Sequence, residues 1–99
     1  MAENPLKCFE GLDPELLKLM GDSRQFALGE GALPKKYKYL IAMALDATQG
    51  AADGVRGLAQ AAMKEGATKK EVAEALRVAQ YICGVGSIYT AARGLRDIF

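Results

Sequence analysis

Apolar residues recur at helical spacing along almost the whole chain. Between residues 51 and 63, Ala51, Val55, Leu58, Ala59, Ala62 and Met63 stand at i, i+4, i+7, i+8, i+11 and i+12, which is one helix stripe. Upstream, Tyr37, Leu40, Ile41, Ala44 and Leu45 repeat at i, i+3, i+4, i+7 and i+8. Downstream, Val72, Leu76, Ala79 and Cys83 share one side, with Ala75, Val78 and Ile82 beside them. An apolar arc that broad predicts the central helix of the fold. Ile88, Ala91, Ala92, Leu95 and Ile98 predict a last helix, and Leu16, Leu17, Leu19, Met20 and Phe26 an early one. No segment shows the alternation of a strand. The pattern predicts an all-α domain of five or six helices joined by short turns.

Start and stop signals punctuate these stretches. Asp13 followed by Pro14 reads as an N-cap with proline at the first helical position. Gly21 is a place where that helix could bend. The loop "LGEGALP", residues 28 to 34, leads to Pro34, which opens the next helix, and Gly50 and Gly66 fit helix C-termini. Thr68 with Glu71 three residues on makes a capping box. "GVGS" breaks the chain again, and Ser87 is placed to cap the last helix. Gly54, Gly57 and Gly94 fall inside predicted helices, where each glycine costs roughly 1 kcal/mol relative to alanine. A close contact is one reason to keep such residues. Descent from a reactive site is another.

Length and composition narrow the picture. Ninety-nine residues, 51% apolar, make one domain with an ample core of Leu, Ile, Val, Met and Ala. Thirteen basic against twelve acidic residues leave a net charge of +1, too balanced for nucleic acid or an anionic membrane to be an expected partner. Lys35, Lys36 and Lys38 form the densest basic run, which reads as a solvated helix start. "MAENPLKCFEG" lacks the apolar stretch of a signal peptide, and no apolar run reaches the roughly 18 residues of a membrane span. With Cys8 and Cys83 outside any CxxC pair, the expectation is a cytoplasmic protein with reduced thiols. Histidine is absent, which removes Ser-His-Asp triads and ordinary zinc sites. Neither metal nor cofactor is expected.

The central and C-terminal parts then take on a specific look. "LPKKYKYLIAMAL", a helix, "KEGATKKEVAEAL" and "YICGVGSIYTAARGL" together resemble the carboxymuconolactone decarboxylase family, the all-α group that includes the AhpD-type alkylhydroperoxidases. The likeness spans about residues 33 to 96 of a single domain, 1–99, and is most specific from Gly66 to Leu76. Residues 1–32 read as an N-terminal helical segment that adds little to it. The redox branch of that family carries Cys-x-x-Cys-x-x-x-His on the helix before the GAT turn. The resemblance implies that its cysteine positions fall on Ala51 and Gly54, its histidine on Leu58 and its relay glutamate on Tyr39. A thiol peroxidase needs a low-pKa thiolate and a resolving thiol, and these residues supply neither. The resemblance also implies a homo-oligomer, a trimer or hexamer, and the alanine-rich helices suit a large subunit interface.

Four residues are candidates for chemistry, each with a plainer alternative. Cys83 could be a pocket thiol, or a small apolar residue of a core helix. Asp46 could act as a general base, or pair with a lysine. Arg56 could hold a carboxylate substrate, or form an i,i+3 ion pair with Asp53. Lys38 resembles the family's basic residue after "LP" and could orient an acid. Tyr37, Tyr39, Tyr81 and Tyr89 could offer hydroxyls to a pocket, although Tyr37 and Tyr89 sit on helix faces that suit core or interface. Two functions stay open: an enzyme acting on a small organic acid or lactone, and a non-catalytic scaffold or small-molecule binder.

Overall fold

The computed structural model describes residues 4–99. A 3-10 turn, Pro5–Cys8, leads into α1 (Phe9–Leu12), α2 (Pro14–Leu28), α3 (Lys35–Thr48), α4 (Ala52–Lys64), α5 (Lys69–Cys83) and α6 (Gly86–Leu95). No strand occurs among the described residues. The local signals set the helix ends. The Asp13 side chain accepts from the Leu16 N–H at 3.0 Å. Thr68 Oγ1 accepts from the Glu71 N–H at 3.1 Å, while Glu71 Oε1 accepts from the Thr68 N–H at 2.9 Å, closing the capping box. Gly50 and Gly66 turn the chain out of α3 and α4 with φ of 76° and 101°, a region side-chained residues seldom enter.

Helix α3, which packs against α4, α5 and α6, takes the central place that the sequence pattern assigns to α5. Helix α4 packs between α3 and α6 and buries Val55, Ala59 and Ala62 completely. These residues share one core cluster with Leu40, Met43 and Ala47 of α3, Val72 and Leu76 of α5, and Ala91 of α6. Helix α5 buries only Val72, Leu76 and Ala79; Val78, Tyr81, Ile82 and Cys83 are exposed. Its apolar arc is wider than the one layer it packs against. Helix α3 differs from its expected pattern in the same way. The spacing is right, but the residues that reach the core are Leu40, Met43 and Ala47, and Tyr37, Ile41 and Leu45 remain exposed.

Two expected details come out differently. Gly21 does not interrupt α2, which runs unbroken from Pro14 to Leu28. Ser87 is not the cap of α6. The helix begins one residue earlier, and the buried Ser87 hydroxyl donates to the Gly84 carbonyl at 2.7 Å.

The N-terminal helices stand apart from this packed body. No residue of α1 or α2 is buried; Leu12, Leu16, Leu19, Met20 and Phe26 are all exposed. The radius of gyration is 14.2 Å, against about 12.6 Å for a compact domain of this length. The accessible surface is 7108 Å², roughly 1,600 Å² above the scaling expectation for a monomer of this size.

Candidate functional site

The structure holds three of the four candidate residues in separate structural contacts. Lys38 projects from α3 toward the C-terminus of α2, where its Nζ donates to the Gly29 carbonyl at 2.8 Å. A cation there satisfies a helix-end carbonyl and opposes the negative end of the α2 dipole. Lys38 is thus one of the few links between the N-terminal helices and the body.

Arg56 does the same work at the other end of the chain. Its Nε donates to the Gly94 carbonyl near the end of α6 at 3.1 Å, and its guanidinium lies 3.3 Å from Asp53 and 3.8 Å from Asp97. The predicted ion pair with Asp53 is present, and beyond it Arg56 fastens α4 to α6.

Asp46 lies over the first turn of α4. A Cβ added at Gly54 would run into the Asp46 carboxylate, with Cγ only 2.9 Å away. A side chain at position 54 would therefore have to displace the Asp46 carboxylate, whereas glycine leaves it room. The carboxylate faces the positive end of the α4 dipole, an arrangement typically worth about 0.3–1 kcal/mol. Gly94 answers to the same logic, since a Cβ there would collide with the Ala52 carbonyl of α4. Gly57 does not: nothing lies within 4 Å of its added Cβ.

Cys83, by contrast, opens on a cavity. A groove of about 650 Å³ runs between α3 and α5, walled by Tyr37, Ile41 and Leu45 on one side and Val78, Ile82 and Cys83 on the other. Thr48, Glu71 and Glu74 give it its few polar groups. The Lys36 ammonium stands 3.2 Å from Glu71 and joins α3 to α5 beside the groove. The Thr68 N–H and Lys36 hold the Glu71 carboxyl below its usual 4.5, and the hydrogen bond to Glu71 raises Lys36. Both cysteines are free and exposed, and the chain has no histidine to pair with either.

The positions that the resemblance assigns to redox residues hold packing roles. Tyr39 and Leu58 are partly buried against the core. Ala51 precedes the first residue of α4, and Gly54 admits Asp46. Cys83 and Tyr37, both expected as possible pocket residues, do border this groove; its course between α3 and α5 was not marked in advance. The signal for it was the surplus apolar arc of α3 and α5, wider than a single packed face needs.

The comparisons with known proteins agree with this architecture. The profile of the carboxymuconolactone decarboxylase family matches residues 14–97, reaching back through α2. The crystal structure of apo-lpg0406, a carboxymuconolactone decarboxylase family protein from Legionella pneumophila, superposes with a TM-score of 0.84 at 36% identity. The match covers 92% of this chain and 81% of that one. No curated protein matches the chain. The all-helical order, the profile match and the structural likeness together place this chain in the carboxymuconolactone decarboxylase family.

Proposed function

We propose that this chain is a homo-oligomeric, non-catalytic member of its family that binds a small organic molecule in the α3–α5 groove and is not a thiol peroxidase. One observation carries the reading. The four candidates for chemistry do not share a site. Lys38, Arg56 and Asp46 each serve a helix end, and Cys83 lies in the groove with no partner that would activate it. The groove has the volume of a ligand pocket but is open along its length, so a covering subunit would complete it. Its only charged lining residues are carboxylates. Glu71 is neutralised by Lys36 and Glu74 is not, which favours an uncharged lactone or apolar molecule over a free acid. A trimer or hexamer is the assembly expected of the family.

The enzyme reading keeps one observation of its own, since Cys83, Tyr37 and Glu74 do border the same groove. Two measurements separate the readings. A thermal-shift screen of small lactones and acids should show stabilisation by apolar, uncharged members, because a ligand of the folded state raises its stability by mass action. Peroxide consumption should be absent in both the wild type and Cys83→Ser. Turnover of peroxide, or of a lactone, that is lost in Cys83→Ser would overturn the non-catalytic reading.

A further inference from the structure

We infer that the groove between α3 and α5 is covered by helix α2 of a second copy of this chain, so that the N-terminal helices of one protomer finish the pocket of the next. The inference rests on the homo-oligomeric part of the proposed function and names the surfaces that meet.

The two surfaces match in length, chemistry and charge. On α2, Leu16, Leu19, Met20 and Phe26 stand at i, i+3, i+4 and i+10, within an arc of about 120° on a helix of 3.6 residues per turn. All four are exposed, and Phe26 is 92% exposed. From Leu16 to Phe26 the stripe is about 15 Å long at 1.5 Å per residue, close to the roughly 17 Å of the groove along α3 from Tyr37 to Thr48. The groove presents Ile41, Leu45, Val78 and Ile82, exposed by 51%, 60%, 64% and 72%. Monomeric proteins seldom leave apolar patches of this kind uncovered. The excess accessible surface of roughly 1,600 Å² is twice the 800 Å² or so that each partner gives to a standard interface. It therefore accommodates both faces, since each protomer contributes one stripe and one groove. Charge agrees as well. Among the described residues neither Glu74 on the groove nor Arg24 beside the stripe has an ion-pair partner. The rival arrangement, groove against groove, would leave the α2 stripe uncovered and bring Glu74 toward its own copy.

Complementation between two full-length variants tests this. Leu19→Glu with Phe26→Glu breaks the stripe and leaves the groove intact. Ile41→Glu with Ile82→Glu breaks the groove and leaves the stripe intact. All four positions are exposed in the protomer, so both variants should keep wild-type helicity by circular dichroism. By sedimentation velocity at micromolar concentration, the wild type should be an oligomer and each variant alone a monomer. An equimolar mixture should form a 1:1 heterodimer through the single intact contact. A stripe variant that associates like the wild type overturns the inference while leaving the homo-oligomer standing. So does a mixture of monomers that fails to pair. A monomeric wild type overturns both the inference and the oligomeric reading. If a glutamate variant loses helicity, alanine at the same positions replaces it, with weakened association expected and unchanged association overturning the inference.

Discussion

The body and the N-terminal helices of this molecule are built from similar residues and stand in opposite conditions. Met43, Val55 and Val72 in the body are fully buried, and α3, α4, α5 and α6 share one core. Helix α2 carries as many large apolar side chains and buries none of them. Apolar content therefore does not tell a buried face from an exposed one. The difference lies in what is available to pack against. The body has its own opposing helices, and α2 is tied down mainly through its C-terminus by Lys38.

The sharpest way to separate the regions is to truncate one large residue in each. Met43→Ala empties a fully buried site and should cost about 2–5 kcal/mol in urea unfolding. Phe26→Ala should leave the unfolding free energy of the dissociated protomer within about 0.5 kcal/mol and weaken self-association instead. Equal losses of protomer stability would erase the contrast.

The helix glycines sharpen it at smaller scale. Gly94→Ala drives a methyl into the Ala52 carbonyl and should destabilise by about 1–3 kcal/mol, as overpacking does. Gly57→Ala meets open space and should stabilise the protomer by up to about 1 kcal/mol, raising Tm by a few degrees. A destabilising Gly57→Ala would show that this glycine, too, accommodates a close neighbour.

The smallest expected effect is at the α3–α5 bridge. Glu71 is held below its usual 4.5, so its contribution to stability is present above that value. It is lost as pH falls through the lower folded-state value. Glu71→Gln should flatten the acid side of the stability curve between those values. A curve of unchanged shape would remove Glu71 from the account.

The features legible in sequence were the local ones. The Asp13 and Thr68–Glu71 caps depend on residues three apart, and both formed. Which face of α3 reaches the core was not legible, because α3 is apolar on two sides and only the position of α4 selects Leu40, Met43 and Ala47. The roles of Lys38 and Arg56 were hidden for a similar reason: each donates to a main-chain carbonyl, of Gly29 and Gly94, that carries no side-chain signature. Gly54 was conspicuous as a weak point in a helix, yet the group that lies against it is a carboxylate eight residues upstream on another helix. The expected chemistry dispersed once these contacts were in place, and the apolar groove remained.

The most direct measurement is hydrogen exchange of the wild-type protein across its dissociation range. If a second copy completes the groove, amides of α2 should gain protection on association together with those of α5 and the groove side of α3, while the α4 core stays unchanged. Association that leaves α2 exchanging as freely as in the dissociated protomer would contradict the account.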